Sequence, residues 1–323
     1  MQAIVQQGYG SPAVLGVREV PDPPAPKDRE VLVEVHAAAV NALDWHLTRG
    51  MPRFIRLMEG VRTPKKPVRG VDLAGRVLAV GPAVTRVQPG DEVWGGTEGS
   101  FAELAVTGED RLTRKPAALT FGEAASFYVP GLTALQGVRD KARVQAGQRV
   151  LVLGAGGGVG VYAVQLASWL GAHVTAVTRG ERMEQARRLG ADQVIDYHVE
   201  DFTRRNERWD AIIYLGGSVP FTRCRRVLTR RGVIVVIGGP AGGWVEPMGK
   251  LLRAMLLSLV VSQRLVPFVS KNDPGDLDLL SELAASGRLR PVIDREFRLA
   301  EAAEAIGYVG AGRARGKVVV RVR

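Results

Sequence analysis

Seven consecutive residues, Gly154-Ala155-Gly156-Gly157-Gly158-Val159-Gly160, stand between the apolar run Arg149-Val150-Leu151-Val152-Leu153 and a helix-like stretch from Val161 to Leu170. A tight glycine turn between a strand and a helix lets backbone approach a pyrophosphate, with the helix N-terminus aimed at it. As a dinucleotide fingerprint the segment reads Ala155-x-Gly157-x-x-Gly160, with Ala where the first Gly is usual. The next strand arrives on schedule as His173-Val174-Thr175-Ala176-Val177. The residues just beyond that strand select the cofactor. A carboxylate there would hold the ribose 2′-hydroxyl of NAD and repel a 2′-phosphate. This chain has Thr178-Arg179-Gly180 with Arg182 close behind. A guanidinium pairs with a phosphate through a planar fork of donors, which favours NADP(H). The competing reading of Arg179 is a solvated surface residue. Glu181 is the discordant charge, and a glutamate at a helix start also has a capping use.

Metal chemistry finds little support. The chain has one cysteine, Cys224, and four histidines, His36, His46, His173 and His198. A structural zinc site takes four Cys/His ligands, and none of the short ligand spacings is present. No metal is expected, and no disulfide framework can form.

The elements that must position these residues divide into two patterns. The first third reads as short strands cut by Pro and Gly clusters, such as Val31 to His36 and Ala74 to Val80. That is the pattern of a partly open β-barrel. After about residue 120, helical periodicity alternates with fully apolar strands: 149–153, 173–177, 194–196, 210–214 and 233–237. This predicts a doubly wound parallel sheet. A helix over 277–286, a strand over 291–297, a helix over 299–308 and a strand over 317–320 close the chain. The length of 323 residues accommodates two domains. The net charge of +11 raises nucleic-acid binding as a possibility, but the arginines are scattered and no stacking aromatics interleave with them. No nucleic-acid partner is expected. The apolar stretch 255–261 is too short to span a bilayer, and no secretory signal is visible, so a cytoplasmic enzyme is expected.

The chain resembles the medium-chain dehydrogenase/reductase superfamily, and within it the zinc-free quinone oxidoreductases of the ζ-crystallin-like and reticulon-interacting branches. The resemblance runs through Val40-Asn41-Ala42-Leu43-Asp44-Trp45, Gly70-Val71-Asp72-Leu73-Ala74-Gly75, Val87 to Val93, Gly131-Leu132-Thr133-Ala134, the glycine turn, Val194 to Tyr197, Ile237 to Pro240 and Gly316 to Val319. It implies a GroES-like catalytic domain over 1–120, completed by 288–323, and an NADP-binding Rossmann domain over 121–287. A zinc enzyme would carry Cys at Asn41 and Gly-His-Glu at Gly70-Val71-Asp72. In the zinc-free branch, Asn41 would lie beside the nicotinamide and Thr133 would contact the cofactor. Gly157, Gly158 and Val159 would meet the pyrophosphate. Thr178, Arg179, Arg182 and Tyr197 would surround the adenosine phosphate. Ile237, Gly238, Gly239 and Lys317 would complete the pocket. Asn41 and Asp44 are the candidate catalytic residues, although both also suit a helix start. Relatives often carry an acidic residue where this chain has Tyr214.

The implied reaction is hydride transfer from NADPH to a quinone or an α,β-unsaturated carbonyl in the cleft between the domains. An alcohol dehydrogenase or enoyl-thioester reductase of the same fold is the nearest alternative. A non-catalytic NADPH-binding protein is the alternative of another class. Trp244 and Met255 are expected in an apolar substrate wall, with a helix packed in the Rossmann core or at a dimer contact as the competing reading. A homodimer is expected.

Overall fold

The computed structural model describes residues 1–237 and 262–323, apart from Phe54, Ser218 and the side chain of Met58. The chain opens with an antiparallel pair, β1 (Gln2–Gln6) and β2 (Leu15–Glu19). In β3 (Glu30–Val40), Val31, Val33 and Val35 are fully buried while Leu32 and Glu34 between them are only partly so. Burial of period two fixes a strand's register, because a one-residue slip would expose every valine. Helices α1 (Ala42–Arg49) and α2 (Ile55–Glu59) come next, then β4 (Asp72–Val80), β5 (Glu92–Gly96), β6 (Leu104–Gly108) and β7 (Leu112–Arg114). Helix α3 (Phe121–Ala125) starts at a reciprocal cap between Thr120 and Glu123. Helix α4 (Tyr128–Gln136) runs on into a π-helical turn over Gly137–Ala142.

The parallel sheet comprises β8 (Arg149–Leu153), β9 (His173–Thr178), β10 (Gln193–Asp196), β11 (Trp209–Tyr214), β12 (Leu228–Val236) and β13 (Arg264–Pro267), in the order β10-β9-β8-β11-β12-β13. Helices α5 (Gly160–Trp169), α6 (Met183–Arg188) and α7 (Phe221–Arg226) connect its strands. Strand order reverses at β8, with β9 on one side and β11 on the other. Ligands of open α/β sheets bind beyond the strand ends at such a reversal, which is where the glycine turn leaves β8. The sequence pattern gives five strands; β13 is a sixth.

The chain ends with α8 (Pro274–Ala285), β14 (Ile293–Arg298), α9 (Ala302–Gly310) and β15 (Lys317–Arg321). A mixed sheet runs β14-β15-β3-β4-β5-β7, with β6 also paired to β3. Long β3 therefore bonds β4, β6 and β15. The expected combination of a strand-rich domain and a doubly wound parallel sheet is what forms.

Two compact units result, Met1–Leu132 with Asn272–Arg323, and Thr133–Lys271. The divisions fall near 132 and 272, where the family resemblance suggests about 120 and 288. Polar ties explain the second difference. Asp278 of α8 accepts hydrogen bonds from Thr113 Oγ1 at 2.8 Å and from Arg86 Nη2 at 2.9 Å, and Ser281 Oγ donates to Arg114 O at 2.8 Å. These fasten α8 to the strand-rich unit. Helix α3 packs on β3 and β4 and carries its own segment into that unit as well.

Candidate functional site

The glycine turn is built by close packing. Gly154 has a φ of +90°, a left-handed conformation that side chains resist. A Cβ on Gly160 would stand 2.2 Å from Gly154 O and 2.7 Å from Ala155 Cα, so only glycine lets α5 start this close to β8. A Cβ on Gly156 would meet Arg182 Cδ at 2.5 Å and Thr178 Oγ1 at 2.6 Å. At Gly157, by contrast, a Cβ would touch only Gly154 O, at 3.5 Å, leaving open space over that backbone. The N–H groups of Gly158 and Val159 make no hydrogen bond among the described residues. Open backbone and unspent donors at the start of α5 fit a bound pyrophosphate.

The end of β9 supplies the cationic side of this site. Parallel pairing of Asp196 with Thr178 brings Tyr197 beside Arg179. Arg179 Nε donates to Tyr197 Oη at 2.9 Å, and the Tyr197 ring, 47% exposed, packs against His198. Thr178 is buried against the turn. Arg182 is also buried, and its Nη1 donates to Gly156 O at 3.3 Å, so it braces the loop from beneath. No carboxylate occupies the Arg179 position. The donor set at this corner suits a 2′-phosphate.

Thr133 is buried on α4 with its hydroxyl 3.0 Å from that of Ser270. Gln136 exchanges hydrogen bonds with the Lys271 backbone at 2.9 and 3.0 Å, which ties α4 to the segment after β13. Ile237 ends β12 by donating its N–H to Tyr214 O at 3.0 Å. Tyr214 is a core residue: its hydroxyl lies 2.7 Å from Gly217 O, Phe221 packs edge-on against its ring, and burial pushes its pKa up to about 12. It ties down the loop after β11. Gly238, Gly239, Trp244 and Met255 lie outside the described residues.

A second constellation forms in the strand-rich unit. Register sets Val318 opposite Val40 and Asp72 opposite Ala39, so Lys317, Asn41 and Asp72 converge at one end of the sheet. Lys317 Nζ donates to Asn41 Oδ1 at 2.6 Å, to Val40 O at 3.1 Å and to Asp72 Oδ2 at 3.3 Å. All three of its protons are thus spent within the protein, leaving none for a cofactor. Asp72 Oδ1 accepts the Val129 N–H at 3.1 Å. Asp44, in the first turn of α1, accepts the Asn41 N–H through Oδ2 at 2.7 Å. Lys317, Asp72, Asp44 and Asn41 are 2%, 0%, 1% and 7% exposed, so these charges sit almost wholly out of water.

Burial dominates their titration. Burial lifts the Asp44 carboxyl to about 7, against the Asn41 N–H that favours its ionised form. Burial also raises Asp72, opposed by Lys317, the Asn41 side chain and the Val129 N–H, and lowers Lys317, opposed by Asp72. His46 is lowered by burial. Asn41 Nδ2 and Asp44 Oδ1 are among the buried polar atoms of the described residues that have no hydrogen-bond partner. Asp72 is the residue that sequence reading passes over, taking it only as part of a lost zinc motif. Its signal is Lys317, a lysine opening an apolar strand and in need of a buried counter-charge.

Among the described residues no group of three or more His, Cys, Asp or Glu side chains is placed to hold a metal ion, and no helix is long and apolar enough to cross a membrane. Cys224 is buried on α7, and burial pushes its thiol up to about 12.

Two family models match the chain. Residues 27–117 match the alcohol dehydrogenase GroES-like domain, and residues 189–320 match a family described as zinc-binding dehydrogenase. A chloroplast envelope quinone oxidoreductase homolog of Arabidopsis thaliana is 32% identical, over 99% of this chain and 98% of its own. The chain belongs to the medium-chain dehydrogenase/reductase superfamily. Among other members of the superfamily, the 2-methylene-furan-3-one reductase of Solanum lycopersicum is 31% identical over 99% of this chain and 79% of its own. The quinone oxidoreductase structure from Coxiella burnetii superposes with a TM-score of 0.88 at 31% identity, covering 100% of this chain and 99% of that one.

Proposed function

We propose that this protein is an NADPH-dependent oxidoreductase that reduces quinones and α,β-unsaturated carbonyls without zinc. The observation that carries the reading is the corner where the glycine turn meets Arg179 and Tyr197, with a cation where an NAD enzyme needs a carboxylate. The names of the Arabidopsis, tomato and Coxiella relatives supply the acceptor class. When bound, NADPH supplies the hydride. Gly157, Gly158 and Val159 hold the pyrophosphate, Thr178, Arg179 and Tyr197 hold the 2′-phosphate, and Arg182 keeps the loop in shape. Thr133 and Ile237 line the rest of the cofactor site in this reading; Gly238 and Gly239, assigned to it by the family resemblance, lie outside the described residues. Asn41 faces the acceptor, and Asp44 pins its backbone. Quinones and enones are already electron-poor, so positioning and a hydrogen-bond donor replace a Lewis acid. Asn41 and Val71, at positions where zinc ligands would sit, support the metal-free reading. The apolar segment 251–261 with Trp244 and Met255 is proposed as a substrate wall or subunit contact of a homodimer. Cytoplasmic residence is part of the same proposal, resting on a single, buried cysteine. The test is steady-state turnover with NADPH on a panel of quinones, enones, aldehydes and acyl thioesters. Reduction of the first two classes is expected. Turnover confined to aldehydes or thioesters would replace this reading with the corresponding activity.

A further inference from the structure

We propose that Lys317 and Asp72 are positioning residues that lock the Asn41 carboxamide, reserving its NH2 group as the hydrogen-bond donor to the acceptor's carbonyl oxygen. That oxygen gains negative charge as hydride arrives at carbon, and a proton from water later neutralises it. The inference rests on the functional reading above and names the group that stabilises the developing charge.

The two ends of a carboxamide have nearly the same shape, and only hydrogen bonding tells them apart. Lys317 decides the matter here. An ammonium has protons and no acceptor, so the atom 2.6 Å from Nζ must be the amide oxygen. The lysine cannot swing away, because Val40 O and Asp72 Oδ2 hold its other protons. Asp72 is fixed in turn by the Val129 N–H. The Asn41 backbone is pinned from the other side by Asp44. Among these neighbours Asp44 Oδ1 also lacks a partner, and Asn41 Nδ2, although its amide favours the ionised form of Asp72, is buried and reaches no acceptor within hydrogen-bond distance. A buried donor without a partner calls for an explanation, and a reacting group that completes the set supplies one here. A cation at the amide oxygen also polarises the N–H bonds and strengthens them as donors. Asp72 offsets most of that cation's charge, so the device orients a donor without building a general anion trap.

Asn41→Asp separates this role from simple helix capping. Asp keeps the shape of Asn, suits a helix start equally and can still accept from Lys317 Nζ, so an Asn41 that served only as that acceptor would tolerate the change. The proposal predicts otherwise: an oxygen replaces the donor, and kcat at pH 8 falls about a hundredfold or more. NADPH affinity should stay within about twofold, because ground-state cofactor binding is not what was removed. Affinity for a phenolate inhibitor, which mimics the oxyanion, should fall in parallel with kcat. The new carboxyl would face Asp44 of α1 and Asp72 of β4, against Lys317 of β15 with Arg69 nearby. As pH is lowered it takes up a proton and becomes a donor again, so kcat of the variant recovers towards acid, whereas the wild type shows no such recovery. Lys317→Met frees the amide to flip and should cost roughly tenfold in kcat, with no further loss when combined with Asn41→Asp. If Asn41→Asp does not fold, Asn41→Ser is read instead; it keeps a capping side chain, lacks the donor's reach, and should lose kcat and phenolate affinity without acid recovery. Wild-type kcat and phenolate affinity in the folded Asn41 variant would overturn the proposal, as would a loss explained wholly by weaker NADPH binding. Failure of the wild type to reduce any quinone or enone would sink the functional reading instead, and the phenolate comparison would still judge this one.

Discussion

Asp44→Asn removes a carboxyl buried in the first turn of α1, where desolvation holds its pKa at about 7. In the unfolded chain the same carboxyl ionises near the ordinary aspartate value of about 3.9. Between those values the folded protein holds a proton that the unfolded chain has lost. Stability contributed by that proton is therefore present in acid and drains away as pH rises through the window, with no further change above about 7. The separation is roughly three pH units, and each is equivalent to about 1.4 kcal/mol, which sets a ceiling of about 4 kcal/mol. Asparagine cannot titrate, yet its amide oxygen can still accept the Asn41 N–H that Asp44 Oδ2 holds at 2.7 Å. The variant carries a fixed cost for its own buried NH2 group, the same at every pH. The diagnostic quantity is thus the change in the stability difference, not its value at one pH. Denaturant unfolding of both proteins at pH 5 and pH 8 measures it. The variant should gain on the wild type as pH rises, by up to about 3 kcal/mol, because only the two units between pH 5 and the folded-state value of about 7 fall inside the measured span. A difference that stays constant, or a wild type that gains on the variant with rising pH, would refute the placement of a protonated carboxyl at this site.

Arg179→Ala removes the guanidinium at the end of β9 and should cut the preference for NADPH over NADH about tenfold or more, read from the two dissociation constants. Gly160→Ala forces a methyl group against Gly154 O and should lower stability by about 1–3 kcal/mol or more, together with NADPH affinity, in thermal melts with and without cofactor. Dialysis against a strong chelator should leave activity and the melting curve unchanged; stoichiometric zinc lost together with activity would contradict this.

Some of this molecule is written in its sequence and some is not, for physical reasons. Strands β8, β9, β11 and β12 are covered on both faces and read as unbroken apolar runs, and the glycine turn is recognisable from its strict spacing after β8. Strand β13 escapes that pattern because it is a four-residue edge with Arg264 at its start and no buried residue. The attachment of α8 to the strand-rich unit depends on Asp278 meeting Arg86 and Thr113, contacts that leave no periodic trace. Asn41 is legible only through family resemblance. Its partners Asp72 and Lys317 lie 245 residues apart in the chain, and only the registers of β3, β4 and β15 bring them together.

The central claim is that NADPH bound at the glycine turn reduces an electron-poor acceptor. The most direct measurement tracks the loss of NADPH absorbance with a quinone or an enone, alongside NADH at the same concentration, and identifies the product. The account predicts turnover with NADPH, much weaker turnover with NADH, and a reduced carbon–carbon double bond in the enone product. Tight NADPH binding without turnover on any acceptor, or equal use of the two cofactors, would contradict it.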